Sequence, residues 1–308
     1  MFLCSDKIRK IIIRDKNMYQ STKNLFLFIV FAVSSTMAKS QLILNEFTNG
    51  TSGVKEYFEL VVTGTPGTFQ DIRGWIIDDH SGFYGCGSGR GIAPGHIRFT
   101  NIQQWACVPV GSIILIYNAN DVNSNLNTPD DYTDANNDGI YVLDVTAPGF
   151  FETNTSVPSV ASCNTFTPGY TAVGSWNPLG LGNAVDVAQV MDPNDLSVPH
   201  HAVGYGNLNP LPPIHFPGTG GGINYSFTNT VSDDPFLQAN WSANNAATFD
   251  TPASANGSEN QKFIDSLKLQ IIASTQSGCA PFQVQFDANS ADSGFTYIWD
   301  FNDGNSAS

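Results

Sequence analysis

Positive charge is scarce in this chain. Its 308 residues include 13 Lys and Arg against 27 Asp and Glu, and seven of the 13 lie before Gln41 with only two of the acids. Residues 41–308 therefore hold six basic and 25 acidic side chains, a formal charge of −19. A surface of that sign repels phosphates instead of neutralising them, which excludes nucleic acid as a partner. Cysteine is sparse as well. There are five, none in a Cys-x-x-Cys spacing, so neither a zinc ribbon nor a thioredoxin-like redox site is encoded. Long apolar runs are missing too: Leu25 to Val33 is too short to span a bilayer, and no later stretch suits a membrane helix. No long segment repeats apolar residues every 3.6 positions, which argues against a helical fold. With 41% hydrophobic and only 13% charged residues, the chain is nevertheless able to bury a core.

What is present begins with an export signal. Lys23, the Leu25–Val33 run and the small residues leading to Ala38-Lys39-Ser40 follow the charged, apolar, small-residue order of a secretory leader. Residues 1–40 are accordingly read as a signal peptide with an over-extended start, Met18 being the expected initiator and Gln41 the expected mature N-terminus. The protein is then secreted or held at the cell surface, with no membrane span in its mature part. Export places Cys86, Cys107, Cys163 and Cys279 in an oxidising compartment, where disulfides are the default. Cys86 and Cys107 form the favoured pair, pairings with Cys163 the alternative.

From Gln41 to about Gln261, short β-rich runs alternate with turn residues, which predicts an all-β sandwich. The expected strands are 42–47, 57–62, 74–78, 97–99, 112–117, 139–145, 184–191 and 201–205. Alternation in Val185-Asp186-Val187-Ala188-Gln189-Val190 suits a sheet buried on one face. Residues 41–249 form the expected first domain. The polar tract 250–268, with Thr251-Pro252, Asn256-Gly257-Ser258 and Glu259-Asn260-Gln261, reads as a linker. Residues 269–308 begin a second β-domain, which the chain leaves unfinished at Ser308.

Two family resemblances sharpen this reading. Leu42-Ile43-Leu44-Asn45-Glu46-Phe47, Glu56-Tyr57-Phe58-Glu59-Leu60, Ile72-Arg73-Gly74-Trp75-Ile76-Ile77-Asp78, Val110 to Tyr117, Gly182 to Val187 and a closing segment from Thr248 to Asn256 occur in an order that resembles the lamin-tail domain. Phe295, Tyr297 and Trp299, followed by the turn ending Asp303-Gly304, together with the upstream Gly278 to Phe286, resemble the polycystic-kidney-disease-type (PKD-type) repeat. Both resemblances imply immunoglobulin-like sandwiches, the first with loop insertions at 118–138 and 206–222, the second present only in part. The lamin-tail likeness implies that Trp75 fills the core, that Gly74 and Gly111 turn the chain, and that Glu46 and Glu59 sit at strand edges. It carries over no catalytic residue. The function implied is a non-catalytic secreted or cell-surface module for binding, adhesion and spacing, with an extracellular protein or carbohydrate as partner. The alternative is the accessory region of an extracellular hydrolase, a nuclease or glycosidase.

One segment has the pattern of a metal loop. Asp134-Ala135-Asn136-Asn137-Asp138-Gly139 places oxygen ligands at alternate positions before a turning glycine, which makes Asp134, Asn136 and Asp138 a candidate calcium site. Val145 stands where a bidentate Glu is expected, and an Asn- and Asp-rich surface loop is the plain alternative. No cofactor is otherwise required. His200 and His201 are adjacent and on a strand would point to opposite faces, His80, His96 and His215 are dispersed, and the adjacent acids Asp78-Asp79 and Asp233-Asp234 read as solvated turns. The aromatics Phe83, Tyr84, Trp105, Phe150, Phe151 and Tyr170 fit either a sugar-stacking platform or core anchors.

Overall fold

Runs rich in Ile, Val, Phe and Tyr, cut by Gly, Pro, Asn and Asp, become the strands of this protein. The structure, a computed structural model, describes residues 41–50, 54–80, 92, 96–154, 169–196 and 198–268, with short strands at 271–273, 286–288, 299–300 and 306–307. The leader and Cys86, Cys163 and Cys279 lie outside the described residues. The first half supplies β1 (Gln41–Asn49), β2 (Tyr57–Thr63), β3 (Phe69–Gln70), β4 (Ile76–Asp79), β5 (Ile97–Phe99), β6 (Val108–Pro109), β7 (Ile113–Tyr117) and β8 (Ile140–Asp144). The second half supplies β9 (Phe151–Thr153), β10 (Thr171–Ala172), β11 (Asp186–Met191), β12 (His201–Tyr205), β13 (Ile214–Phe216), β14 (Ile223–Phe227) and β15 (Trp241–Asn245). Two helices follow, α1 (Ala246–Phe249) and α2 (Ser258–Leu267).

The expected all-β sandwich is formed by a six-stranded sheet, β15-β14-β1-β2-β7-β8, and a seven-stranded sheet, β10-β9-β5-β4-β11-β12-β13. Neighbours are antiparallel except β7–β8 and β12–β13. Phe47, Phe58, Leu60, Ile114 and Ile116 of the first sheet share one apolar cluster with Ile77, Ile97, Phe99, Val190 and Val203 of the second. Tyr205 and Tyr225 stack across this interface with centroids 5.0 Å apart. Trp75 lies in the same core, 1% exposed.

Several expectations need correction. Residues 250–268 are not an extended linker: they fold into a strap and α2, whose Phe263 and Ile264 join the core. The Phe263 ring meets Phe227 edge-on at 5.1 Å. The 206–222 insertion contributes β13, a paired strand in place of a free loop. Every residue of β11 is buried, because 192–208 covers its second face with Leu196 and Leu208. Glu46 and Glu59 sit on β1 and β2, the two central strands of the first sheet, and not at its edges.

Gln41 pairs with Thr63, and the neighbouring Val62 carbonyl accepts the Gly111 N–H at 2.8 Å. Gly111 has φ +88°, and a side chain there would come within 3.3 Å of the Ile264 carbonyl oxygen and the Lys268 nitrogen. Glycine at this position thus answers both a left-handed turn and the close approach of the end of α2.

Candidate functional site

An open groove of about 480 Å³ on the seven-stranded sheet is lined by Asp71, Arg73, Gly74, Arg98, Phe99, Asn101 and Glu152. Register builds it. Arg98 on β5 lies opposite Glu152 on β9, so both side chains share a face, and Nε donates to Glu152 Oε1 at 2.6 Å. The Arg98 guanidinium carbon stands 3.4 Å above the centre of the Tyr170 ring, a cation–π arrangement. The Tyr170 hydroxyl in turn is 2.6 Å from His96 Nε2. Beside them Arg73 grips Asp71 through Nε and Nη2, and its Nη1 donates to Asn101 Oδ1 at 3.1 Å. Hydrogen bonding to Asp71 holds the Arg73 pKa above its ordinary value.

Arg73 and Arg98 are two of only six cations after residue 40. Half-exposed ion pairs of this kind stabilise a fold by less than about 1 kcal/mol, so the groove is a surface feature that the fold can do without. Its guanidinium, carboxylate and carboxamide groups offer donors and acceptors side by side, Arg98 and Glu152 from β5 and β9 and Asp71, Arg73 and Asn101 from the turns next to β4 and β5. Tyr170 was visible in the sequence among the aromatics, but Arg73, Asn101 and Glu152 were not singled out as a site. The rarity of arginine was the available signal.

Among the other aromatics, Trp105 is 0% and Phe151 2% exposed, and Phe150 packs against the same core. These three are anchors and not a sugar platform. Phe83 and Tyr84 lie outside the described residues. Asp78 is buried at the end of β4, where its Oδ2 accepts from Gln189 Nε2 at 2.6 Å, and it is no solvated turn residue. Asp79 is pushed above the carboxylate range by burial and by the charge of Asp78. Cys107 is disulfide-bonded, while Cys86, its expected partner, lies outside the described residues.

No family model, curated protein or solved structure matches this chain.

In the 134–139 loop the three candidate ligands serve the turn. Asp134, at φ +52°, accepts the Gly139 N–H on Oδ1 at 2.9 Å. Asn136 donates Nδ2 to Asp138 Oδ2 at 2.9 Å, and Asp138 Oδ1 accepts the Ile140 N–H at 2.7 Å. Asp131 closes the loop from outside by accepting the Ala135 and Thr133 N–H groups, bonds that outweigh its burial and hold its pKa low. Among the described residues no three His, Cys, Asp or Glu are placed to share a metal ion. Asp134→Ala is accordingly expected to cost about 1–2 kcal/mol even in chelator, read as a lower melting temperature, because it leaves the Gly139 N–H without its acceptor. Calcium calorimetry on wild type and on Asp134→Ala/Asp138→Ala checks whether the same oxygens also take the cation.

A second set of carboxylates is enclosed. Glu46 and Glu59 are both 0% exposed and face one another in the register of β1 and β2. A bulge at Asn45 sets this register: Leu44 opposes Leu60, and Glu46 then opposes Glu59. Burial pushes the Glu46 pKa up to about 7 against the pull of four hydrogen bonds, and Glu59 is raised as well, by burial and by the charge of Glu46. Glu56 is also raised to about 7 by burial, although the Trp176 indole and the Leu181 N–H donate to it.

Proposed function

We propose that residues 41–268 form a non-catalytic binding module of a secreted or cell-surface protein, and that the groove around Arg73, Arg98 and Glu152 is its contact surface. The observation that carries this reading is the groove itself: two of the few cations are held there, Arg73 on the turn before β4 in a fork with Asp71 and Arg98 on β5 paired with Glu152, beside a carboxamide and an aromatic ring. Such a lining meets the vicinal hydroxyls of an extracellular glycan, which donate and accept at once, and a charge-balanced groove does not repel a neutral chain. The export signal and the lamin-tail and PKD-type resemblances support the same placement outside the cell.

The test is affinity electrophoresis through gels containing hydroxyethylcellulose, mannan or alginate. Wild type is expected to be retarded by a neutral polysaccharide, and Arg73→Ala/Arg98→Ala to run as in a blank gel with its melting temperature nearly unchanged. Equal retardation of the two proteins, or none in any gel, overturns the assignment.

A further inference from the structure

The Glu46–Glu59 pair belongs neither to the groove nor to the acidic loop, and the hydrogen-bond partners of the two carboxylates are all neutral. Glu46 Oε1 accepts from the Tyr57 hydroxyl, from Asn224 Nδ2 and from the Thr251 N–H, while Oε2 lies 2.5 Å from Thr251 Oγ1. Glu59 accepts from Asn45 Nδ2 and from the Ala253 N–H, both at 2.8 Å. The titratable groups facing the pair are Tyr57 from β2 and Asp250 from the strap; β14 contributes Asn224, α2 contributes Asn260 and the 118–130 loop contributes Asn123. Among the described residues no lysine, arginine or histidine hydrogen-bonds to either carboxylate. Two enclosed like charges on opposing residues repel by a few kcal/mol even at an effective dielectric constant of about 20.

Counting protons locates the remedy. Thr251 Oγ1 is 2.9 Å from Asn256 Oδ1 as well as close to Glu46 Oε2. The Asn256 amide is fixed the right way round, because its Nδ2 donates to the Asn45 and Phe227 carbonyls. Thr251 therefore has one hydroxyl hydrogen and two acceptors. Both contacts are satisfied if Glu46 Oε2 is protonated and donates to Thr251 Oγ1, while Thr251 donates to Asn256.

We propose that Glu46 holds a proton on Oε2 in the folded protein and that this proton latches the strap of residues 250–256 onto the first sheet. Thr251, Ala253 and Asn256 bind Glu46, Glu59 and the Asn45 carbonyl through four hydrogen bonds, so the strap reads the charge of the pair directly. Loss of the proton to solvent leaves a second negative charge beneath the strap and removes the donor to Thr251. The strap then loosens, and with it the path through α2 to the rest of the chain. This device is independent of the groove.

The test is hydrogen exchange on the full chain, with protection factors corrected for intrinsic rates, and infrared spectroscopy of the carboxyl carbonyl stretch. In wild type, protection of the Thr251 and Ala253 amides is expected to fall about tenfold or more between about pH 6 and about pH 9, together with a protonated-carboxyl band. Glu46→Gln, which replaces the O–H donor by an N–H donor, is expected to keep the protection at both pH values and to weaken that band by the share of one carboxyl, Glu56, Glu59 and Asp79 keeping theirs. Glu46→Ala is expected to lose the protection throughout. A flat wild-type profile, or a Glu46→Gln variant as unprotected as Glu46→Ala at about pH 6, overturns the proposal.

Discussion

The melting temperature is expected to rise, not fall, as pH is lowered from about 8 to about 5.5. Burial lifts Glu46 and Glu56 to about 7 and Asp186 to about 6, all above the values they have in an unfolded chain. A raised folded pKa contributes stability that is complete below the unfolded pKa and is lost as pH climbs through the folded one. These three acids therefore stabilise the fold most near pH 4 and lose that contribution by pH 6–7. His201 works in the opposite sense: enclosed between the Leu44 N–H and the Pro235 carbonyl, it is lowered to about 4 by burial, so its contribution is lost as pH falls from 6.5. His80 is lowered as well. The acids outnumber them down to about pH 5. Each pH unit over which only the folded chain holds a given proton is worth about 1.4 kcal/mol, so between about pH 7 and 5.5 Glu46 alone supplies roughly 2 kcal/mol. For a domain of this size that is a shift on the order of 5–10 °C in a calorimetric scan. A curve that falls steadily below pH 8 would show these acids to be ionised in the fold.

Trp105→Ala is expected to be the most damaging single change, at about 3–5 kcal/mol and roughly 10 °C. The indole is packed against Phe99, Tyr141, Phe150 and Phe151 with centroid separations of 4.9 to 6.2 Å. It also donates Nε1–H to the Phe150 carbonyl at 3.0 Å, and truncation takes that donor away and leaves a cavity beside the oxygen, which keeps only Thr100. A thermal scan separates this from a ligand-stacking role: an unchanged melting temperature would return Trp105 to the surface.

The sandwich was legible because its strands are short, apolar and bounded by turn residues. Residues 97–99 and 201–205 form strands with the expected bounds, and most others differ by a residue or two at an end. Alternation misled at β11: it suited a sheet buried on one face, but Asp186 and Gln189, which point to opposite faces, are both enclosed, by hydrogen bonds to Gly182 and Asp78. The 250–268 tract misled for a related reason. Its Thr and Asn residues looked like a linker, yet Thr251, Asn256 and Asn260 all find partners on β1. Composition registers that a residue is polar, not that a bulged strand has acceptors waiting for it. The groove was the least legible part, because it depends on the register of β5 against β9 and on Tyr170 crossing from another segment.

The corner formed by Gln41, Thr63, Gly111 and Lys268 has a geometric consequence. Entry and exit of the sandwich are separated by two strand spacings and one helix contact, roughly 15 Å, whereas β1 alone runs about 30 Å. Both ends of the sandwich therefore lie at one corner, and its opposite rim, with the exposed Val54, Val122 and Phe249, stands a full strand length away from either of them.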